Sequence, residues 1–381
     1  MNSVKLRFIR FVFVQIPASR RRNVVLSRCG RELAELHLHY EDAAQYSDVE
    51  VPGAESGNKS RFKITKTWLR SYLTALSHNN NYRALLLITW GFAQDYMKNK
   101  LVMPVVKWVG GKRQLINDIL RLKPTHITSY CEPFLGGGAV LFSLQSPNII
   151  INDLNEELVN IYAVIQNNID DLILDLKQHK NTPEYFYSIR DLDRNKSSYQ
   201  NLSPVQRASR IIYLNKTCYN GLFRVNSAGE FNTPFGYYKN PNIVNEPVLR
   251  AVHNYFQSSN VSLSCQDYAQ VLENVPKNTF VYLDPPYDPV SDTANFTGYN
   301  KGGFGKEEQI RLKKCCDLLD RRNIKFLLSN SSTEFIRELY GDYHITIVHA
   351  KRSVNSVGSK RGEIDEVLVR NYDRKSGKKE R

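Results

Sequence analysis

A short loop with two prolines follows an apolar segment in the last third of the chain and reads Asp284-Pro285-Pro286-Tyr287. The Asp carboxylate and a neighbouring backbone carbonyl supply two hydrogen-bond acceptors, the prolines hold the backbone rigid, and the Tyr ring offers a stacking face. An exocyclic amine of a nucleobase needs such a set, because its lone pair is delocalised into the ring until two acceptors localise it and aim it at an electrophile. The alternative is a proline turn with a capping Asp.

A glycine-rich loop, Glu132–Gly138, directly follows a second apolar segment. Glycines after a strand let a ligand approach the backbone at the carboxyl end of a sheet, where such folds bind cofactors. The loop matches neither GxGxxG nor GxxxxGK[ST], so the sequence does not support nicotinamide or ATP as the ligand. Asp153 ends the next apolar segment, where its carboxylate can accept hydrogen bonds from a ribose diol or, as is commoner for a lone Asp, stay in a solvated turn.

These loops need a scaffold, and the chain predicts one of alternating strands and helices. Short strands are predicted at Ile127–Cys131, Ile149–Ile151, Phe280–Leu283 and Phe326–Leu328, and helices at Ala139–Leu144 and Glu156–Gln166. Near the end, His344–His349 and Ile364–Val369 alternate apolar and polar residues, as an antiparallel pair does. The pattern predicts an α/β fold with a doubly wound, mostly parallel sheet. A long insertion between the second and third of these strands is rich in Asn, Tyr and basic residues.

The chain of 381 residues is strongly basic, with 52 Lys and Arg against 38 Asp and Glu and a net charge of +14. This field attracts polyanions and makes nucleic acid the leading partner class, the alternative being a basic surface kept for solubility. Six cysteines without CxxC spacing and eight histidines without an HExxH predict reduced thiols, a cytoplasmic location and no metal. The apolar run Phe11–Ile16 is too short to span a membrane, so no membrane partner is expected.

Several further segments complete the pattern of the two loops. They are Lys107–Lys112, Phe134–Gly138, Asn152–Asn155, Tyr219–Asn226, Gly229–Gly236, Asp284–Tyr287 and Thr293–Thr297. With these motifs, residues 103–372 resemble the Dam-type DNA adenine-N6 methyltransferases, which include the GATC methylases of restriction–modification systems. The order of glycine loop, insertion and proline loop matches the family's alpha arrangement. The resemblance implies a Rossmann-like methyltransferase fold with an inserted helical and β-hairpin DNA-recognition domain.

The resemblance also implies S-adenosylmethionine as methyl donor. The residues that it assigns to this cofactor are Trp108 and Lys112, which would close over it, Phe134, Gly136 and Gly138 beside its methionine part, Asp153 at the ribose hydroxyls, Asp267 at the adenine, and Asp284. The implied reaction is direct transfer to an adenine that is flipped out of the duplex, because its N6 cannot be reached in the stack. Asp284 and the Pro285 carbonyl would hold the amine, and Tyr287 would stack on the ring.

The insertion predicts a reader of duplex DNA. The residues assigned to DNA contact are Lys107, Tyr219, Asn220, Leu222, Arg224, Pro234 and Tyr238. Residues 226–238 predict a hairpin around Ser227–Gly229, from which Arg224 can pair with guanine while Leu222 and Pro234 touch a thymine methyl. The family places Tyr219 in the base stack and Lys107 at the outer guanine, and the expected site is 5′-GATC-3′. Basic residues such as Arg207, Arg210, Lys216 and Lys239 are expected to grip phosphates.

The predicted organisation has four regions. Residues 1–102 are an extension of unknown role, either a small helical domain around Trp68–Asp95 or a stretch upstream of a true start at Met97 or Met103. Residues 103–166 and 261–372 make up the catalytic domain, 167–260 the target-recognition insertion, and 373–381 a basic tail. A monomer is expected, with a cognate restriction endonuclease as a functional partner that acts on the same site.

Three rival functions stay open at this point. A cytosine-N4 methyltransferase could use the same proline loop, although those enzymes usually carry Ser in place of Asp284. An RNA adenine methyltransferase shares the acceptor loop but has no use for a duplex-reading hairpin. A DNA-binding protein that has lost catalysis would keep the hairpin without needing Trp108, Lys112 and Asp153.

Overall fold

Seven strands form one mixed sheet in the computed structural model, which describes residues 98–108, 110–112, 114–290, 304–351 and 363–373. The strands are β1 Ser129–Glu132, β2 Asn148–Asn152, β3 Asn260–Ser264, β4 Thr279–Leu283, β5 Lys325–Ser331, β6 His344–Lys351 and β7 Glu363–Arg370. Their order is β3-β2-β1-β4-β5-β7-β6. The first five run parallel, whereas β7 pairs antiparallel with both β5 and β6.

The predicted elements are confirmed, with boundaries that differ by at most three residues. Both predicted helices and the terminal antiparallel pair are present. Strand β3 was not predicted, because its sequence is only partly apolar and the strand lies half-buried at the edge of the sheet. The predicted helical region Trp68–Asp95, the segment Thr293–Thr297 and the residues 374–381 of the basic tail lie outside the described residues.

Helices flank the sheet and are started by local capping. They are α1 Ile116–Leu122, α2 Ala139–Leu144, α3 Glu156–Asn167, α4 Ile169–Leu176, α5 Pro183–Arg190, α6 Lys196–Gln200, α7 Pro204–Thr217, α8 Glu246–Gln257, α9 Tyr268–Asn274, α10 Lys306–Arg321 and α11 Glu334–Leu339. Asn155 caps α3 by accepting the Leu158 N–H at 3.0 Å. Ser203 and Gln206 form a reciprocal capping box at the start of α7.

The central strand β4 explains why the sheet has helices on both faces. All five of its residues are buried, and successive side chains point to opposite faces. Phe280 and Tyr282 join a core shared with α1 to α4, α7 and α8, whereas Val281 and Leu283 join a second core with α9 to α11. The result is a three-layer, doubly wound α/β fold with a mostly parallel sheet, as the sequence predicts.

The insertion over residues 167–260 is mainly helical and shares the first of these cores. Helix α7 packs against α3 and α4, and α8 packs against the same two helices. Two isolated antiparallel bridges, Cys218 with Phe235 and Val225 with Phe231, hold the predicted hairpin together. The turn is tightened by Asn226, whose backbone N–H donates to the Glu230 carbonyl at 2.8 Å. The hairpin is therefore present, with isolated bridges in place of regular strands.

Candidate active site

The glycine loop and the proline loop meet at the edge of the sheet where the strand order reverses. The chain runs outward from β1 to β2 and β3, and then returns to β4 on the other side of β1. Ligands of open α/β sheets bind in the crevice at the carboxyl ends of such neighbouring strands. The glycine loop follows β1 and the proline loop follows β4, so the fold brings together two motifs separated by about 150 residues of sequence, as expected of a switch point.

Asp284 is held by two polar groups that both contact one of its carboxylate oxygens. The Lys112 ammonium lies 2.8 Å from Oδ1, and the Ser329 hydroxyl donates to the same atom at 2.9 Å. Burial raises the pKa of Asp284, while Lys112 and Ser329 oppose that effect. Within the described part of the chain, Oδ2 makes no hydrogen bond, so it is available to accept one from a ligand.

Tyr287 is oriented by a carboxylate on a distant strand. Its hydroxyl donates to Oε2 of Glu366, on β7, at 2.7 Å. Burial raises the pKa of Glu366, and the Tyr287 hydrogen bond opposes the rise. The Lys112 ammonium lies 4.4 Å from the centroid of the Tyr287 ring, within the range of a cation–π contact. Glu366 was not predicted, since 79 residues of sequence separate it from Tyr287.

The proline loop is fixed from behind by buried amides. Gln309 on α10 donates to the Pro286 carbonyl at 2.9 Å and accepts from the Asn330 side chain at 3.0 Å. Asn330, on β5, also accepts the Asp288 N–H at 3.0 Å. Among the described residues no donor contacts the Pro285 carbonyl. The loop therefore presents this carbonyl and Oδ2 of the aspartate as the two free acceptors that an amine requires.

Asp153 ties the end of β2 to the glycine loop. Its Oδ2 accepts the Gly136 N–H at 2.8 Å, and its Oδ1 accepts the Asn155 N–H at 2.9 Å. Burial raises the pKa of Asp153, and these backbone donors oppose it. Gly138 has a φ of +68°, and a Cβ there would meet the Phe142 ring at 2.8 Å, so no other residue fits this position without a shift.

Aromatic side chains line the two ends of the glycine loop. Trp108 packs against the loop, since a Cβ on Gly136 would lie 3.4 Å from its Cδ1 atom. The Trp108 ring stacks on Phe223 of the insertion, with ring centroids 4.5 Å apart. At the other end, Phe134 lies 5.1 Å from Tyr268, measured between ring centroids. Trp108 thus lies between the glycine loop and the insertion.

Asp267 caps α9 and forms a bidentate ion pair. Its carboxylate accepts from the two terminal nitrogens of Arg311 at 2.6 and 3.0 Å, and it also accepts the Ala269 N–H at 2.9 Å. Partial burial would raise the pKa of Asp267, but the Arg311 and Ala269 hydrogen bonds outweigh it and lower the pKa. The Arg311 partner was not predicted from the sequence.

Three acidic side chains, Glu132, Asp153 and Asp284, influence one another's ionisation at this edge of the sheet. Glu132, at the end of β1, is buried and accepts from the Tyr130 hydroxyl at 2.8 Å and the Leu141 N–H at 3.1 Å. Burial raises the pKa of Glu132 well above its usual range, and the neighbouring Asp284 and Asp153 charges add to the rise. A positive charge placed beside such groups favours their ionised forms and lowers their pKa values.

Comparison with known proteins agrees with this geometry. A family model for D12 class N6 adenine-specific DNA methyltransferases matches residues 108–354. The chain belongs to this family. It is 40% identical over 278 residues to the type II methyltransferase M1.LlaDCHI of Lactococcus lactis, covering 72% of this chain and 98% of that protein. It is 43% identical over 291 residues to the type II methyltransferase M.MjaIII of Methanocaldococcus jannaschii, covering 71% and 99%.

A third relative of this methyltransferase is the DNA adenine methylase of Escherichia coli K12, which is 35% identical over 268 residues and covers 69% of this chain and 93% of its own length. Family membership identifies the reaction as N6 methylation of adenine in DNA, and so decides against the cytosine and RNA rivals. The family implies S-adenosylmethionine as methyl donor. The aspartate before the prolines agrees with this assignment.

The predicted DNA-contacting residues of the methyltransferase gather around the turn that follows α7. Lys107, Tyr219, Asn220, Arg224, Pro234 and Tyr238 are exposed, and Leu222 is half-buried. The Tyr219 N–H donates to the Pro234 carbonyl at 2.8 Å, and the Lys107 ammonium donates to the Asn220 carbonyl at 2.5 Å. Tyr238 is joined to the turn's surroundings through its carbonyl, which accepts from Asn181 at 2.7 Å.

The principal predicted base reader, Arg224, is held by a neighbour across the hairpin. Its Nε donates to the Asn232 side chain at 2.7 Å, and Nη2 lies 3.4 Å from the Asn232 carbonyl. This arrangement fixes one edge of the guanidinium against Asn232. Asn232 lies within the family motif Gly229–Gly236, but its contact with Arg224 is seen only in the structure.

The expectation that Arg210 grips phosphate is wrong. Arg210 is 2% exposed, donates to the Ile189 and Arg190 carbonyls at 2.8 and 2.6 Å, and pairs with Asp193 at 2.8 Å. It therefore anchors α7 to the end of α5 and to the segment that follows it. Arg207 pairs with Glu157 at 2.6 Å. The sequence alone does not tell whether a basic side chain on an amphipathic helix faces solvent or pairs with an acidic group inside the protein.

No group of three or more His, Cys, Asp or Glu side chains among the described residues is arranged to hold a metal ion, and the expectation of a metal-free enzyme stays a prediction. No helix within the described ranges is long and apolar enough to cross a membrane.

Proposed function

We propose that this methyltransferase modifies the adenine of 5′-GATC-3′ in duplex DNA. The observation that carries the proposal is the clustering of the predicted readers on one surface, with Arg224 fixed by Asn232 and Lys107 bonded to the recognition turn. An Arg held at one edge suits bidentate pairing with guanine, and the apolar side chains of Leu222 and Pro234 suit a thymine methyl group. The exposed Tyr219 is suited to enter the base stack.

The residues that would hold S-adenosylmethionine fit its chemistry. A sulfonium cation would favour the ionised forms of the neighbouring acidic side chains, and the glycine loop leaves room for close backbone approach. Asp153 retains unused lone pairs for ribose hydroxyls, Asp267 would contact the adenine, and Trp108 and Lys112 would close over the site. Lys112 already forms an ion pair with Asp284, so the same ammonium would contact both the catalytic carboxylate and the cofactor. When bound, the cofactor supplies an electrophilic methyl group.

The chain's own residues prepare the amine for transfer. Oδ2 of Asp284 and the Pro285 carbonyl would each accept one hydrogen bond from the N6 amine of the flipped adenine, which localises the lone pair on nitrogen and turns it toward the methyl donor. Tyr287 stacks on the base with its ring set by Glu366. Gln309 fixes the Pro286 carbonyl and thereby the rigid backbone on which both acceptors lie. The protein contributes orientation and charge, and forms no covalent bond to the substrate.

The cellular setting that we propose is a monomer that acts on DNA in the cytoplasm. A palindromic site is compatible with a monomer that methylates each strand in a separate encounter. A restriction endonuclease of the same specificity would be its functional partner without forming a stable complex.

The test is methylation of an unmethylated plasmid by purified protein, followed by mass spectrometry of the nucleosides and sequencing-based mapping of the modified sites. We expect N6-methyladenine confined to GATC from the wild type and none from Asp284→Ala. A matched control is Asp118→Ala, since this aspartate forms only a local ion pair with Arg121 on α1. Methylation at another sequence would refute the site assignment, and N4-methylcytosine would refute the reading of the proline loop.

A further inference from the structure

One buried amide joins the two segments that carry the predicted DNA readers. Asn215 on α7 is 2% exposed. Its Oδ1 accepts the Lys107 N–H at 2.8 Å, and its Nδ2 donates to the Lys107 carbonyl at 2.8 Å and to the Gly221 carbonyl at 3.1 Å. A single side chain thus satisfies three backbone groups that belong to two segments far apart in the sequence.

The surrounding atoms leave little freedom at this junction. Gly221 has a φ of +62°, and a Cβ there would lie 3.2 Å from the Asn215 carbonyl and 3.2 Å from Cδ of Lys107. The Lys107 ammonium also donates to the Asn220 carbonyl. Asn215 therefore places the Lys107 backbone beside the recognition turn, although 113 residues of sequence separate Lys107 from Asn220.

The chemistry of the side chain is specific to Asn. Three backbone groups face it, one N–H and two carbonyls, and only an amide of this length offers one acceptor and two donors at those positions. Asp would place a carboxylate oxygen against two carbonyl oxygens. Leu, of similar shape, would leave all three backbone groups unpaired in the interior.

We propose that Asn215 is a positioning residue that determines specificity at the base read by Lys107. Asn215 contacts neither DNA nor cofactor in this scheme. It acts by fixing the position of the Lys107 backbone, from which the reading side chain extends. The inference rests on the proposed role of Lys107 as a base reader and does not depend on the identity of the site. It is distinct from the contact of Asn232 with Arg224, which concerns another reader.

The test compares site preferences across a randomised DNA library that is methylated and then sequenced. The variants are Asn215→Asp, Asn215→Leu and Lys107→Ala, with Asn160→Leu as a control, because Asn160 donates to the Pro204 carbonyl at 2.9 Å without contacting a reader. Lys107→Ala defines the position that this lysine reads, whatever the wild-type site is. Circular dichroism melting establishes that each variant is folded.

We expect both Asn215 variants to lose about tenfold or more of the discrimination at the position that Lys107→Ala identifies, since a misplacement of about 1 Å can cost roughly a hundredfold in rate. Discrimination at the position read by Arg224 and the preferences of Asn160→Leu should stay within about twofold of the wild type. In the double variant Asn215→Asp with Lys107→Ala, the two losses should not add.

Four results would overturn the proposal. Unchanged preferences in folded Asn215 variants would show that Lys107 needs no such support. An equal loss at every position, or failure of both variants to fold, would assign the amide to the fold alone. No loss of discrimination in Lys107→Ala would remove the reader on which the inference rests. A wild-type site other than GATC would refute the proposed site, while the comparison between Lys107 and Asn215 would still decide this inference.

Discussion

The bond between Tyr287 and Glu366 allows a quantitative test of how the stacking ring is held. The hydroxyl lies 2.7 Å from the carboxylate oxygen, the length of a charge-assisted hydrogen bond. Such bonds contribute about 1.5–3 kcal/mol. At 1.36 kcal/mol per factor of ten, loss of the bond should lower the methylation rate by about 10- to 150-fold if the ring must be oriented in the transition state.

Two substitutions isolate this contact. Tyr287→Phe keeps the stacking ring and removes only the donor, and Glu366→Ala removes only the acceptor. Glu366→Gln keeps a neutral acceptor, whose hydrogen bond contributes about 0.5–1.5 kcal/mol, so its rate should fall between wild type and Glu366→Ala. Because either single change breaks the same bond, Tyr287→Phe should cost little when added to Glu366→Ala.

The assay is the single-turnover rate of methylation at saturating DNA and cofactor, which reports the chemical step and not binding. Thermal melting of each variant separates a loss of folding from a loss of rate. If Tyr287→Phe methylates at the wild-type rate, or if the costs of Tyr287→Phe and Glu366→Ala add fully in the double variant, the ring is not positioned by this bond.

Three further outcomes follow from the site. Arg224→Ala should relax recognition of one guanine, at a cost of about 1–3 kcal/mol, and an unchanged preference in the library assay would contradict its role. Wild-type activity should fall as the pH drops through the raised pKa of Asp284, because its carboxylate is the active form. Lys112→Met should move this fall in activity to higher pH, since Lys112 opposes the effect of burial on the pKa of Asp284. A pH–rate profile at saturating cofactor shows whether the acid limb moves. Gln309→Met leaves the Pro286 carbonyl and the Asn330 side-chain amide unpaired, at about 1–3 kcal/mol each. The free energy of unfolding, measured in urea, should therefore fall by roughly 2–6 kcal/mol. A fall well below about 1 kcal/mol would show that the proline loop does not depend on Gln309.

The scaffold of the site could be predicted because its signals are local. Apolar runs such as Phe280–Leu283, each followed by a distinctive loop, are sufficient to identify the strands. Because these strands run parallel, the loops that follow them lie at one edge of the sheet. The terminal pair was predicted from alternation alone. Strand β3 escaped because a half-buried edge strand carries little hydrophobic signal.

The supporting contacts could not be predicted because their partners are distant and chemically ordinary. Glu366 resembles any strand glutamate in the sequence, and Gln309 resembles any helical glutamine. Only the folded chain shows that one accepts from Tyr287 and the other donates to the proline loop. Arg210 shows the reverse error: a net positive charge predicts phosphate contact on average, but it cannot tell which arginine is consumed by internal pairing.

The hydrophobic core that the insertion shares with the sheet limits how enzymes of this family can acquire new target sequences. Helices α7 and α8 pack on α3 and α4 and complete the same interior as the sheet. A stretch that supplies part of its host's interior cannot be exchanged between relatives as a self-contained module, because the recipient would inherit mismatched volumes in place of its own packing. If the exposed turn after α7 reads the DNA site, as we propose, changes of specificity should accumulate by single replacements on that turn, with the interior of the insertion coevolving with the rest of the enzyme.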